Sequence, residues 1–150
     1  MGAEHQATLN SRHNLATWRA EAGELDEALD VLTQLLSDQQ RILGPDHPST
    51  LLTRNNLGAC LGWNDQVDEA FEVFSQVLLD RERVLGAKHP DTLVTRSHLA
   101  VCLSRSGRIA EAIELQTQLL SDRERILGPD HPSTLFSQRD LAYLREQQGN

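Results

Sequence analysis

Histidine recurs at a fixed spacing in this chain, and it is the residue type that first suggests chemistry. His5, His47, His89 and His131 lie 42 residues apart. Zinc binds several imidazole nitrogens at once, each about 2.0–2.1 Å from the ion. Stacked helices lie about 8–10 Å apart, so one ion cannot join histidines that belong to different repeat units. We therefore expect these histidines to pack loops or cap helices, and we predict no metal and no cofactor.

Sequence motifs of nucleophilic and phosphate-binding sites are absent from the chain. There is no Gly-x-Ser-x-Gly motif, which exposes the nucleophilic serine of many hydrolases. There is no GxxxxGK motif, whose backbone N–H groups bind phosphate. A catalytic site also normally occurs once, whereas the polar residues here recur with the repeat. We therefore predict that the protein is not an enzyme.

The two cysteines also occupy equivalent positions, because Cys60 and Cys102 lie 42 residues apart. A disulfide requires Cα atoms within about 7 Å, and neighbouring packed helices lie about 8–10 Å apart. We expect two free cysteines that act as small apolar residues in a cytosolic protein.

The histidines belong to a repeated nonapeptide. LGPDHPSTL occurs at 43–51 and 127–135, LGAKHPDTL occurs at 85–93, and MGAEHQATL at 1–9 is a divergent copy. A fixed period of this size indicates a repeat array. We predict a single domain covering residues 1–150, divided into repeats 1–42, 43–84 and 85–126 and a half repeat 127–150.

The similarity extends beyond the nonapeptide, because residues 33–51 and 117–135 are nearly identical. They differ only at Gln39/Arg123 and Gln40/Glu124. Either duplication of a two-repeat block or a consensus-type design would produce this pattern, and both interpretations stay open.

Each repeat unit has the pattern of a helical hairpin. Pro48 suits a first helical turn, and apolar residues at helical spacing predict a helix A over residues 48–63. A second apolar stripe begins at Val67 and predicts a helix B of about 18–20 residues, ended by Gly86. One hairpin cannot bury both stripes, whereas stacked hairpins bury a continuous core. The predicted fold class is all-α, an α-solenoid of stacked antiparallel helical hairpins with about 3.5 repeats.

The charge of the chain narrows the classes of partner. The formal net charge is −8, which disfavours nucleic acid and anionic membranes because both require a Lys/Arg-rich surface. There is no apolar run of about 18 residues that could cross a membrane, and no secretory signal is visible. We expect a cytoplasmic protein with no nucleic-acid and no membrane partner.

The hairpin resembles the tetratricopeptide repeat (TPR). Leu57-Gly58 and Ala70-x3-Phe74 match its signature positions in helix A and helix B. Its usual tryptophan is replaced by Arg12, Arg54 and Arg96. The 42-residue period and the L-G-x-x-H-P-x-T-L box are similar to the long-helix repeats of kinesin light chains and their bacterial relatives. This resemblance covers essentially all 150 residues and implies a right-handed superhelix.

The resemblance also implies a peptide-binding groove lined by the helices A. The implied groove positions are His13, Asn55, Ser97 and Arg139 in a first row; Thr17, Ala59, Val101 and Tyr143 in a second; and Glu21, Trp63, Arg105 and Gln147 in a third. A neighbouring row, Asn14, Asn56, His98 and Asp140, is implied to join adjacent repeats. An Asn side chain can pair with the backbone of any peptide. Arg105 and Arg139 would favour acidic groups in the ligand.

These observations predict a non-enzymatic protein–protein interaction scaffold that binds a peptide segment of a partner in the helix A groove. The alternative is a structural or self-association module, which could be part of a larger signalling or regulatory protein. In that alternative a homodimer forms through the repeat ends. The last helix, predicted at residues 135–148, ends in polar residues that can solvate the array, and the first helix has less protection.

Overall fold

A computed structural model describes residues 3–149, with side chains from His5 onward. In this range the protein has seven α-helices and no strand. The helices are α1 (Ala3–Glu21), α2 (Leu25–Ile42), α3 (Pro48–Trp63), α4 (Val67–Leu85), α5 (Pro90–Arg105), α6 (Ile109–Leu127) and α7 (Pro132–Gly149). Helices A (α1, α3, α5, α7) alternate with helices B (α2, α4, α6), which confirms the predicted all-α repeat fold.

The helix bounds follow the sequence pattern closely. Helix α3 coincides with the predicted helix A, and α4 has 19 residues, within the predicted length of helix B. Helix α7 begins at Pro132, three residues before the predicted start, because this proline occupies a first helical turn as Pro48 does in α3. Helix α1 already includes His5, while Met1 and Gly2 lie outside the described residues.

Three helices A begin with the same histidine cap. Nδ1 of His47, His89 and His131 accepts a hydrogen bond from the backbone N–H two residues further on, at 3.1 Å in each case. The start of a helix leaves such N–H groups without a partner in the helix, so each ring satisfies one of them. The predicted capping role of these three histidines is confirmed, whereas His5 lies inside α1.

Close contact between α3 and α4 depends on a glycine. A Cβ atom added at Gly58 would lie 2.9 Å from Cε1 of Phe74, a distance that carbon atoms do not tolerate. Ala70, one turn before Phe74, is fully buried. Small side chains at these positions therefore allow the close approach that the signature residues predict.

An arginine of helix A pairs with an aspartate of helix B inside each of the first three repeats. The pairs are Arg12–Asp38 (2.6 Å), Arg54–Asp80 (2.5 Å) and Arg96–Asp122 (2.7 Å). The hydrogen bond from Arg96 lowers the pKa of Asp122, and Arg12 does the same for Asp38. These arginines occupy the positions where the TPR signature has tryptophan, so an ion pair joins the two helices there.

A second arginine joins helix B to the next helix A. Nη1 of Arg81 donates to the hydroxyl of Thr95 at 2.8 Å, and Nη1 of Arg123 donates to the hydroxyl of Ser137 at 2.7 Å. Nη1 of Arg81 also donates to the backbone carbonyl of Asp91 at 2.9 Å, and Nη1 of Arg123 donates to that of Ser133 at 3.2 Å. Both arginines are buried, so these bonds link successive repeats inside the protein.

The first repeat has glutamine at the equivalent position. Gln39 is as buried as the two arginines, and it faces a helix A that carries Thr53 where the others carry Thr95 and Ser137. Among the described residues, neither Oε1 of Gln39 nor the hydroxyl of Thr53 has a hydrogen-bond partner. This connection between repeats therefore lacks a bond that the others make.

The chain divides into two compact units, Met1–Asp80 and Arg81–Asn150, with the boundary inside α4. In the first unit, Ala16, Ala28, Leu32 and Cys60 form a buried apolar cluster. In the second unit, buried apolar side chains of α5, α6 and α7 form the interior. The organisation of residues 1–150 as one domain stays a prediction.

Candidate functional site

Each helix A has one stripe that consists of exposed and half-buried residues. In α3 it consists of Leu52, Asn56, Ala59 and Trp63, which are spaced four, three and four residues apart and therefore share one helix face. The equivalent positions are Asn10, Asn14, Thr17 and Glu21 in α1; Val94, His98, Val101 and Arg105 in α5; and Phe136, Asp140, Tyr143 and Gln147 in α7. We call this set the exposed helix A stripe.

The placement of Asn55 contradicts its predicted role. The residue is 4% exposed, so it offers almost no surface to a ligand. It shares a helix face with Leu51 and Gly58, both buried, because it lies four residues after one and three before the other. The neighbouring Asn56 is half-buried and keeps some accessible surface.

The other predicted groove residues keep solvent-accessible surface. Those that are exposed are Thr17, Trp63, Val101, Arg105, Arg139 and Tyr143, and those that are half-buried are His13, Ala59 and Ser97. Trp63 is 64% exposed and Tyr143 is 55% exposed, which leaves most of each aromatic ring accessible. The binding of a ligand by these residues stays a prediction.

A hydrogen bond joins α1 to α3 beside the stripe. Nδ2 of Asn56 lies 3.2 Å from Nε2 of His13, which confirms the predicted contact of Asn56 between repeats. Burial lowers the pKa of His13, so the neutral ring is favoured at this position.

A cavity of about 120 Å³ lies between α1 and α3. Its lining residues are Ala16, Thr17, Ala20, Glu21, Leu32, Asn56, Ala59, Cys60 and Trp63. Thr17, Ala59 and Trp63 were predicted as site residues, and Glu21 was placed in the third groove row. The buried residues of the lining, Ala16, Leu32 and Cys60, are not among the predicted site residues. Their signal in the sequence is the run of small side chains one helical turn apart, at Ala16 and Ala20, opposite Ala59.

The cysteine at this cavity is held as a thiol. Sγ of Cys60 donates to the backbone carbonyl of Leu25 at 3.6 Å. Burial raises the pKa of Cys60, and the negative charge of Asp26 raises it further. Burial also raises the pKa of Cys102. Both cysteines are free and buried, so neither is suited to act as a nucleophile.

The second unit has one arginine on the stripe, Arg105, and another, Arg139, directly before the stripe residue Asp140. Burial lowers the pKa of His98, and the positive charges of Arg81 and Arg123 lower it further, so the neutral ring is favoured here too. Arg105 and Arg139 are exposed, and a guanidinium group is able to donate two parallel hydrogen bonds to one carboxylate.

In residues 3–149, no group of three or more His, Cys, Asp or Glu side chains is arranged to hold a metal ion. No helix of the described part of the chain combines the length and the apolar character needed to cross a membrane.

Comparison with protein families identifies the repeat. The model of the tetratricopeptide repeat matches residues 7–62, 51–124 and 99–150, which together span almost the whole chain. The chain belongs to the tetratricopeptide repeat family. This family consists of protein-interaction scaffolds that are generally non-catalytic. No curated protein matches the chain.

Solved structures of TPR proteins share the fold. A Podosopora anserina protein assigned as a kinesin light chain, with nearly identical TPR-like repeats, is 34% identical with a TM-score of 0.87, over 97% of this chain and 69% of that one. BtubC (BKLC) from P. vanneervenii is 15% identical with a TM-score of 0.85, over 94% and 56% of the two chains. The translocator chaperone SycD of Yersinia enterocolitica type III secretion is 19% identical with a TM-score of 0.71, over 97% and 88%. The first comparison confirms the likeness to kinesin-light-chain repeats, and the other two show a shared fold alone.

Proposed function

We propose that the protein is a scaffold that binds a peptide segment of a partner protein on the exposed helix A stripe. The observation that carries this proposal is the exposure of large apolar side chains at equivalent stripe positions, Leu52, Val94 and Phe136, together with Trp63 and Tyr143. Exposed apolar side chains of this size favour a protein-binding role for the stripe of each unit, and exposed aromatic residues are typical anchors of an interface.

Residues on the stripe, together with the predicted groove residues next to it in the sequence, would set the ligand preference of each unit. In the second unit, Arg105 and Arg139 would favour acidic groups in the bound peptide. Ser97 and Val101 share a face of α5 with Arg105, because they lie eight and four residues before it, and they would add to that surface. In the first unit, Thr17, Ala59 and the neutral His13 offer no cation. The proposal includes a cytoplasmic location for the protein.

Selection of peptides from a random display library on the full chain tests the proposal. We expect the selected peptides to lose at least about tenfold in affinity with Trp63→Ala or Tyr143→Ala, the size of a typical anchor residue. Leu79→Ala is the matched control, because Leu79 is 59% exposed on a helix B. Selected peptides that bind both stripe variants as well as the parent chain would contradict the proposal.

A second function, self-association, is favoured by exposed apolar side chains on α1. Trp18 is 68% exposed, whereas the residues at its position in later repeats, Cys60, Cys102 and Leu144, are buried. The neighbouring Leu15 is also exposed. We propose that a second copy of the chain covers this face of α1. Sedimentation equilibrium is expected to show a dimer that Trp18→Glu dissociates, and a 16.8 kDa species at every concentration would argue against it.

A further inference from the structure

We propose that the cavity between α1 and α3 is a subsite for one basic side chain, lysine or arginine, of the bound peptide. The inference rests on the proposed peptide-binding function and adds the chemical class of one ligand residue. It is carried by the shape of the cavity, by the charges around it and by one exposed aromatic ring.

The shape of the cavity suits the unbranched stem of a long side chain. Ala16, Ala20 and Ala59 are three of its lining residues, and the volume is about 120 Å³, enough for a few methylene groups. At the position of Ala59 the later repeats carry the larger Val101 and Tyr143. The first repeat carries Thr17 there, so among the four helices A the small alanine at this position is particular to α3.

The charges near the cavity are negative. None of its lining residues is cationic, and Glu21 is the one ionisable carboxylate among them. Among the described residues, Glu21 has no hydrogen-bonding or ionic partner, and its side chain is exposed. The negative charge of Asp26 also acts on Cys60, another lining residue. An ammonium or guanidinium group of a ligand would therefore meet attractive charge and displace no cation.

The nearest titratable groups do not reverse this preference. His13, which is hydrogen-bonded to the lining residue Asn56, has its pKa lowered by burial and adds no positive charge. Arg19, on the same helix as Glu21, is held in an ion pair with Glu24 at 3.4 Å. On α2, Asp26 accepts a hydrogen bond from Nδ2 of Asn64 and is not joined to a cationic side chain by this bond.

The indole ring of Trp63 adds a second attraction for a cation. Its ring lines the cavity and is 64% exposed, so a ligand can reach its face. A cation over a tryptophan face is attracted by the ring quadrupole. Long basic side chains bury their methylene stem against apolar surface and keep the charged end near water. Lysine and arginine combine both properties, whereas an apolar residue would fill the cavity and leave Glu21 without a partner.

Titration of the full chain with three matched pentapeptides tests the inference. The probes are acetyl-Ala-Ala-Xaa-Ala-Ala-amide with arginine, norleucine or glutamate at Xaa. Trp63 is observed through its indole N–H resonance in a Trp18→Phe background, in which it is the one remaining tryptophan. We expect the arginine peptide to bind about fivefold more tightly than the norleucine peptide, the size of an exposed ion pair, and the glutamate peptide to bind most weakly.

Variants of the lining residues separate charge from shape. Glu21→Gln is expected to reduce the preference for arginine over norleucine to less than about twofold. Ala59→Val, which copies the residue of the next repeat, is expected to weaken both peptides because it fills the cavity. Glu27→Gln is the charge-matched control, since Glu27 is exposed on α2 and does not line the cavity.

The outcomes distinguish this inference from the function on which it rests. Equal binding of the arginine and norleucine peptides, or a preference that survives Glu21→Gln, would overturn the basic subsite and leave peptide binding intact. The same conclusion follows if no pentapeptide moves the Trp63 resonance at millimolar concentration while library-selected peptides still bind through Tyr143. Failure of both the pentapeptides and the library-selected peptides to bind would refute the proposed function itself.

Discussion

Substitution of Gln39 by arginine is expected to stabilise the first unit. Arg81 and Arg123, at the equivalent positions, each donate to a hydroxyl of the next helix A and to a backbone carbonyl. The second repeat supplies the acceptors for the same bonds, because Thr53 and Ser49 lie where Ser137 and Ser133 lie in the last connection. An arginine at position 39 would therefore find a hydroxyl that at present has no partner.

The magnitude follows from opposing contributions. A hydrogen bond from a charged donor contributes about 1.5–3 kcal/mol, and it also removes the cost of a buried hydroxyl without a partner. Against this, burial lowers the pKa of Arg81 and of Arg123, which means that burying the cation has a cost. The longer side chain also adds volume, and overpacking costs about 1–3 kcal/mol where the surroundings do not adapt. We expect a net gain of about 1 kcal/mol, a rise in Tm of about 2–4 °C for a chain of this size.

Urea and thermal unfolding of the full chain measure this gain. Gln40→Glu is the matched control, because it is the other position at which the two near-identical segments differ and it is exposed. We expect it to change stability by less than about 0.5 kcal/mol. The reverse substitution, Arg123→Gln, is expected to destabilise the second unit by about 1–3 kcal/mol because it leaves Ser137 without its donor.

A double variant identifies the bond responsible. In a Thr53→Val background the hydroxyl is absent, so Gln39→Arg is expected to lose most of its stabilising effect. A lower unfolding midpoint for Gln39→Arg alone would refute the reasoning, as would a gain of the same size in the Thr53→Val background.

Three other predictions concern contacts described above. Ala70→Leu overpacks the contact between α3 and α4 and is expected to cost about 1–3 kcal/mol in unfolding free energy; an unchanged Tm would contradict the packing described. His89→Ala removes a helix cap and is expected to cost about 1 kcal/mol, whereas His89→Asn should retain most of that stability in the same urea titration. The pKa of Asp122 is lower in the folded protein, so its pair with Arg96 stabilises the fold above the unfolded pKa of the carboxyl group. This contribution to stability is lost as the pH falls through the pKa of Asp122 in the folded protein. Arg96→Met should therefore make Tm fall less steeply with decreasing pH in the acid range.

Much of the fold could be predicted because its signals are local. Proline in a first turn, a glycine stop and an apolar stripe each act within one helix, so the bounds of α3 and α4 follow from neighbouring residues. The capping role of His89 follows in the same way, because the ring bonds a backbone N–H only two residues away.

The orientation of the site residues depends on finer geometry. Successive residues of an α-helix are rotated by about 100°, so a shift of one position separates the buried Asn55 from the stripe residue Asn56. The Arg54–Asp80 pair is similarly hard to predict, because 26 residues separate its partners and they meet only through the packing of two helices. The cavity beside Trp63 is harder still, since it results from the combined small volumes of residues on α1 and α3.

The near identity of residues 33–51 and 117–135 has a consequence for folding kinetics. During folding, a helix B and its connector could dock on the wrong helix A, because the two segments present almost the same surface. Misassembly of this kind is a characteristic failure of repeat proteins. The difference between Gln39 and Arg123 acts against it only weakly, since Thr53 offers a misplaced arginine the same hydroxyl that Ser137 offers. Refolding is therefore expected to pass through a trapped, slowly corrected species, and Gln39→Arg, although stabilising, would make the two segments still harder to distinguish.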